Sequence, residues 1–130
     1  MIVDSSALVA ILLVEPEALR LTTAIAKSSI CRLPSPCFLE ASMIILGRRN
    51  EDGLRDLDSY VARSRMEIVL FNESHARLAR EAFKRYGKGR HPAKLNFGDC
   101  MAYALAKETG EELLFKGTDF GLTDIAVAAY

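Results

Sequence analysis

The chain has 130 residues, half of them apolar, and its formal net charge is zero. This length predicts a single domain over residues 1–130, with enough apolar side chains to bury a core. A neutral chain has no general attraction for polyanions, so binding to nucleic acid needs a local patch of positive charge. The three cysteines lack metal-ligand spacing, which argues against a zinc site or a disulfide framework.

Nothing in the sequence predicts contact with a membrane. The longest stretch without a charged residue runs from Ser5 to Val14, far shorter than the ~20 residues that cross a bilayer. No basic segment precedes the apolar start of the chain, so a signal peptide is not apparent. We therefore expect a cytoplasmic protein with reduced cysteines.

Short apolar runs alternate with segments that carry apolar residues at helical spacing. In chain order, the predicted elements are strand 1–3, helix 7–13, helix 18–25, strand 30–33, helix 36–46, helix 54–61, strand 67–71, helix 73–86, helix 97–108, strand 112–115 and strand 125–128. The residues predicted to cap helix starts are Ser5 or Ser6, Ser35, Asn72 and Asn96, and those predicted to end helices are Gly47, Gly87 and Gly110. This alternation predicts an α/β fold, with a parallel sheet of four to five short strands covered by helices on both faces.

Four acidic residues fall where such folds place their sites, near the carboxyl ends of the strands. Asp4 directly follows the first strand, and Asp119 lies in the turn after the fourth. Glu40 and Asp99 lie in the first turns of two helices. Converging carboxylates raise one another's pKa, a cost that a bound divalent cation relieves, and oxygen ligands suit Mg²⁺ or Mn²⁺. Such a site can hold a phosphodiester and activate a water for hydrolysis.

Each of these acids also has a purely structural interpretation. Asp4 could cap the helix that follows it, and Asp99 stands three residues after Asn96, as in a capping box. Glu40 could stabilise the positive end of its helix, and Asp119 could be an ordinary turn residue. Their joint placement at one predicted edge of the sheet favours the metal site.

Two further features are open from the sequence. Asp124 could hold the metal ligands in place without binding the metal, ligate the metal itself, or cap a helix or turn. Residues 82–98 contain no acid but carry Lys88, Arg90 and Lys94. These cations could bind the phosphates of a nucleic acid beside the site, or they could belong to a loop that only faces water.

Four segments of the chain, in order, match a known family. They are MIVDSSAL at 1–8, PCFLEAS at 36–42, GKGRHPAKLNFGDCMAYALA at 87–106 and LFKGTDFGLTDI at 114–125. On these segments the chain resembles the PIN-domain ribonucleases, and among them the VapC-type toxins of toxin–antitoxin pairs. The resemblance covers essentially the whole chain and implies a three-layer α/β/α PIN-like domain.

The resemblance implies an endoribonuclease that uses Mg²⁺ or Mn²⁺ and acts as the toxin of its pair. The residues that it implies as catalytic and metal-binding are Asp4, Glu40, Asp99 and Asp119, with support from Ser6 and Thr118. Asp124 is a further candidate for such a supporting role, with the alternatives given above. The implied partners are an RNA substrate, a VapB-like antitoxin and a second copy of the chain. Apolar residues over 7–14 and 38–46 could serve as partner surfaces, although such stripes are more often core. The alternative is a catalytically weak module of the same fold that only binds RNA or protein.

Overall fold

The computed structural model describes residues 1–130 and alternates strands with helices. Its elements are β1 (Ile2–Val3), α1 (Ser5–Leu12), α2 (Ala18–Lys27), β2 (Arg32–Pro34), α3 (Ser35–Arg63), β3 (Glu67–Val69), α4 (Glu73–Tyr86), α5 (Phe97–Thr109), β4 (Leu113–Leu114) and a short 3₁₀ helix (Asp119–Leu122). None of the helices is both long and apolar enough to span a membrane.

The four strands form one parallel sheet in the order β3-β2-β1-β4. Ile2 at its centre pairs with Arg32 on one side and Leu113 on the other. The predicted parallel sheet is therefore confirmed, with four strands. The predicted fifth strand at 125–128 is wrong, because Val127 forms only an isolated bridge to Leu113. One paired residue, itself 41% exposed, does not extend the sheet.

Helices pack against the sheet and against one another around one cluster of 33 buried apolar residues. Helix α1 packs on α2 and α3, while α5 packs on α4 and contacts β1, β2 and β4. Seven consecutive residues of α5, from Cys100 to Ala106, are buried. A helix that is buried on all sides lies inside the domain, so the core fixes the position of the residues at the start of α5.

Helix α3 differs from its prediction. Gly47 does not end it, because a glycine inside a helix costs only about 1 kcal/mol and does not block the backbone. The break comes at Asn50, whose φ of 55° and ψ of −154° kink the element, and the helix then continues to Arg63. After the kink Gly53 packs tightly: a β-carbon there would lie 2.7 Å from Cγ2 of Ile45.

The predicted caps of the last two helices are confirmed. Asn72 and Asn96 each accept a hydrogen bond from the backbone three residues later and complete a capping box. The predicted caps at Ser5 or Ser6 are wrong, because Asp4 caps α1. Ser35 is already inside α3, and its Oγ accepts a hydrogen bond from Phe71 N at 3.2 Å.

Candidate active site

Three of the four predicted acids line one cleft at the carboxyl end of the sheet. Asp4 leaves β1 directly, Glu40 comes from the start of α3, and Asp99 lies in the first turn of α5. The cleft encloses about 300 Å³. Asp4 is 2% exposed, whereas the other two acids are partly exposed. The structure thus brings together side chains that are far apart in the sequence.

The two carboxylate oxygens of Asp4 have different surroundings. Oδ2 accepts hydrogen bonds from Ser6 N at 2.9 Å and from Ser6 Oγ at 2.5 Å. Ser6 Oγ in turn accepts a bond from Lys116 N at 3.0 Å, so its own proton points to Asp4. Oδ1 is buried and has no hydrogen-bond partner. Burial raises the pKa of Asp4 to about 6 against the lowering effect of the Ser6 bonds, and the charges of Asp99 and Glu40 add to the rise.

The Glu40 carboxylate is held between a serine and a glycine. Ser5 Oγ donates a hydrogen bond to its Oε2 at 2.7 Å. On the other side, a β-carbon on Gly98 would lie 2.5 Å from Oε2 and 2.6 Å from Oε1. Real side chains do not approach so closely, so glycine is required for Glu40 to keep this position.

Asp99 serves the helix and the cleft at once. Its Oδ2 accepts a bond from Asn96 N at 2.7 Å, and Asn96 Oδ1 accepts one from Asp99 N at 3.0 Å. Its capping role is therefore present in the structure, beside its place in the cleft. Burial raises the pKa of Asp99 against the lowering effect of the Asn96 bond, and the charges of Asp119 and Glu40 add to the rise.

Asp119 and Thr118 lie outside the lining of the cleft. Both residues are exposed, and Asp119 begins the short 3₁₀ helix after β4. The Thr118 side chain makes no capping hydrogen bond there. Asp119 is nevertheless close enough for its charge to act on Asp99. The fourth acid therefore stands beside the cleft rather than inside it.

Asp124 is held in a separate ion cluster. Its carboxylate accepts hydrogen bonds from Tyr103 Oη at 2.6 Å and Lys107 Nζ at 2.9 Å, and Arg85 lies 3.5 Å away. The Tyr103 bond lowers the pKa of Asp124 to about 2 against slight burial, with further lowering by Lys107 and Arg85. These contacts attach the C-terminal segment to α5 and α4.

The basic residues Lys88, Arg90 and Lys94 are exposed and lie on the loop between α4 and α5. Together with their neighbours in residues 88–94 they border an open cavity of about 520 Å³ that no acid lines. None of the three forms a salt bridge with another residue of the chain. A parallel bridge between Gly87 and Leu95 closes the base of the loop. The loop thus presents unpaired positive charge next to the start of α5.

The donors in the cleft fit a hard divalent cation. The acids that line the cleft offer carboxylate oxygens, the ligand type that such cations prefer, and Asp4 Oδ1 is buried without any partner. No three acidic, cysteine or histidine side chains are grouped closely enough to ligate one ion as they stand. Binding a cation through three of these acids therefore requires side-chain adjustment.

Several residues that build the cleft were not predicted from the sequence. They are Ser5, Glu15, Gly98 and Lys116. Ser5 follows the first acid and Gly98 precedes the third, so both lie inside the segments that carry the resemblance. No local pattern marks Glu15 and Lys116, since only the fold brings them together. His75 is also buried, at 2% exposed, and its Nε2 bonds Glu108 at 2.6 Å.

The chain is similar to known proteins over nearly its whole length. The PIN domain family model matches residues 1–126. Ribonuclease VapC from Mycolicibacterium smegmatis is 47% identical over 126 residues, which cover 97% of this chain and 98% of that protein. The chain belongs to the PIN-domain family, among the VapC ribonucleases. The prediction of a PIN-domain ribonuclease is thereby confirmed.

Solved structures of other proteins share the fold at low sequence identity. The VapC20 toxin of Mycobacterium tuberculosis, which cleaves the sarcin–ricin loop, matches with a TM-score of 0.80 at 12% identity and covers 98% of this chain and 97% of its own. A toxin–antitoxin complex from Klebsiella pneumoniae contains a chain that matches with a TM-score of 0.72 at 18% identity, covering 99% of this chain and 97% of its own. The three-layer PIN-like architecture of this VapC ribonuclease is therefore established.

Proposed function

We propose that this VapC ribonuclease hydrolyses RNA phosphodiesters at the cleft formed by Asp4, Glu40 and Asp99, as the toxin of a toxin–antitoxin pair in the cytoplasm. The observation that carries the proposal is the buried, unpartnered Oδ1 of Asp4. A buried carboxylate oxygen without a hydrogen bond is costly. It is understandable in a site that binds a cation.

PIN-domain ribonucleases generally need a divalent metal, and we propose Mg²⁺, or Mn²⁺, for this chain. Asp4, Glu40 and Asp99 would hold the ion, with Asp119 completing the acidic set from beside the cleft. When bound, such a cation activates water and stabilises charge on the leaving oxygen. Ser6, Ser5 and Asn96 orient the three carboxylates through the hydrogen bonds described above.

The basic loop supports an RNA substrate. Lys88, Arg90 and Lys94 have no acidic partner in the chain, so their charges are available to phosphate oxygens. The loop leads directly to Asn96 and Asp99 at the cleft. A strand of RNA bound to the loop would therefore extend toward the acids of the cleft.

Exposed apolar side chains support a small antitoxin as partner. On α3, Leu39, Met43 and Leu46 are 60%, 67% and 42% exposed, and Val14 is 83% exposed. The α3 residues follow helical spacing, which suits the apolar face of an antitoxin helix. The relatedness in fold to a chain of the Klebsiella complex agrees with this partner.

A second apolar surface supports a homodimer. Phe83 and Phe97, 41% and 78% exposed, border a groove of about 470 Å³ between α4 and α5. An exposed aromatic surface of this kind is typical of protein interfaces. Light scattering at micromolar concentration tests the dimer, and a strict monomer would contradict it.

The nuclease proposal is tested by incubating the purified protein with single-stranded RNA, with and without Mg²⁺. We expect cleavage only with the metal, and products with 5′-phosphate and 3′-hydroxyl ends, because the acids favour hydrolysis by water. Products with 2′,3′-cyclic phosphate ends would contradict hydrolysis. Binding of RNA without any cleavage would instead favour the catalytically weak binding module.

A further inference from the structure

Lys116 is the one basic residue that lines the acidic cleft. Four carboxylates share the lining with it, those of Asp4, Glu15, Glu40 and Asp99. Its backbone is held near the first of these acids, because Lys116 N donates to Ser6 Oγ, which donates to Asp4 Oδ2. These hydrogen bonds therefore fix the backbone of Lys116 close to Asp4, one of the candidate metal ligands.

The ammonium group of Lys116 pairs with acids of the segment between α1 and α2. It forms an ion pair with Glu15 Oε2 and lies 3.6 Å from Glu17 Oε2. The three side chains are 36%, 31% and 32% exposed, and ion pairs so accessible to water are worth little. Glu17 Oε2 has no hydrogen-bond partner, so one lysine does not satisfy both carboxylates. The partly exposed pair with Glu15 is therefore one that another anion can replace at modest cost in free energy.

We propose that Lys116 is a substrate-positioning residue that leaves Glu15 and Glu17 to contact a phosphate oxygen of RNA at the cleft. The proposal rests on the ribonuclease function proposed above. Four carboxylates repel a phosphodiester, and within the cleft only this lysine offers it a positive partner from the protein itself. Glu15 and Glu17 then act as counter-ions that hold the lysine when RNA is absent and compete with RNA for it.

A purely structural role for Lys116 makes the opposite prediction for Glu15. If the ion pair only ties the turn after β4 to the segment between α1 and α2, loss of either partner has the same consequence. If Lys116 positions RNA, loss of the lysine weakens RNA binding, whereas loss of Glu15 frees the lysine and strengthens it. The sign of the Glu15 effect separates the two roles.

Binding is measured by fluorescence anisotropy with a labelled single-stranded RNA of mixed sequence, in Mg²⁺. All variants carry Asp99→Asn, so that the RNA stays intact. We expect Lys116→Gln to weaken binding about tenfold and to lower the slope of log K against log salt by about 0.7. Glu15→Gln should tighten binding about threefold, and the double variant should behave like Lys116→Gln alone. Lys116→Arg should retain most of the affinity because it keeps the positive charge.

Lys107→Gln is the matched control. Lys107 is 41% exposed and also pairs with a carboxylate, but it lies in the Asp124 cluster. The Lys107→Gln substitution removes the same charge as Lys116→Gln, and we expect it to change RNA affinity by less than about twofold. In the active protein, Lys116→Gln should raise KM for the RNA about tenfold and leave kcat much less affected.

Two results would overturn the proposal while leaving the ribonuclease assignment intact. One is weaker RNA binding in Glu15→Gln, in parallel with Lys116→Gln. The other is an effect of Lys116→Gln no larger than that of Lys107→Gln, in a protein that cleaves RNA normally. A wild-type protein that neither binds nor cleaves RNA in Mg²⁺ would overturn both the proposed function and the role of Lys116.

Discussion

Asp4 and Asp124 carry the same type of side chain, but its surroundings differ between these two regions of the molecule. Asp4 is buried, keeps one oxygen without a partner, and has a pKa raised to about 6. Asp124 receives a tyrosine, a lysine and an arginine, and its pKa falls to about 2. A carboxylate that stabilises a fold is supplied with partners. A buried carboxylate that lacks such partners indicates a place where a ligand binds.

The largest effect is expected from removing a charge in the cleft. Asp99→Asn should lower Mg²⁺-dependent RNA cleavage about 100-fold or more, because changes to groups that only support metal ligands already cost about 10–100-fold. Its fold should persist, because an asparagine oxygen can still accept the bond from Asn96 N and one of the like charges is gone. Cleavage assays and thermal unfolding of the purified variant measure the two properties. Full activity of the Asp99→Asn variant would contradict the assignment of Asp99 to the site.

A smaller loss is expected from Gly98→Ala. The added β-carbon meets both oxygens of Glu40, so the carboxylate must move and activity should fall about tenfold or more. Gly47→Ala is the matched control, since nothing lies within 4 Å of a β-carbon there and the residue is inside α3. That control should stabilise the protein by about 0.5–1 kcal/mol with unchanged cleavage. Equal activity of the two variants would contradict the role of Gly98 beside Glu40.

The basic loop should affect binding rather than chemistry. Changing Lys88, Arg90 and Lys94 together to glutamine should weaken binding of all RNA sequences alike and lower the salt slope by about 2. The control is a triple change of Arg77, Arg80 and Lys84, which removes the same charge from α4. These cations already have acidic partners in Glu73 and Glu81. A salt slope that falls equally in both triple variants would assign the loop no special contact with RNA.

Much of this architecture could be predicted, because strong local signals agree with the tertiary structure. Asn72 and Asn96 cap their helices as predicted, since an asparagine followed by a helical pattern satisfies backbone donors wherever the helix packs. Asp4 shows why structural and functional interpretations need not compete. It caps α1 with Oδ2 and leaves Oδ1 free for the cleft.

The parts that sequence analysis missed depend on long-range contacts. The end of α3 is a local exception: it was predicted at Gly47, but the break comes at Asn50, and Gly53 then packs on Ile45 of the same helix. Lys116 and Glu15 are 101 positions apart, so no local pattern reveals their ion pair. The three alternatives for Asp124 could not be separated because its partners come from α4 and α5.

The smallest effect is expected from Asp124→Asn, which tests the structural side of the comparison. The folded-state pKa of Asp124, about 2, is below its ordinary value of 3.8. Its ion pairs therefore stabilise the fold above pH 3.8, and this contribution is lost as the pH falls through about 2. Because the side chain is 34% exposed, we expect a loss of only about 1 kcal/mol at pH 6.

The pH dependence of that loss identifies its cause. At pH 3 about half of the difference in stability between wild type and Asp124→Asn should remain, because the Asp124 carboxylate of the unfolded chain is then mostly protonated whereas that of the folded protein is still mostly ionised. Thermal unfolding at pH 6 and pH 3 measures this, with Asp58→Asn, an exposed acid without a salt bridge, as the control. RNA cleavage at neutral pH should stay within about twofold of wild type, since the cluster is separate from the cleft. A large loss of cleavage with unchanged stability would place Asp124 with Asp4 in the acidic site, and the contrast between the two aspartates would then fail.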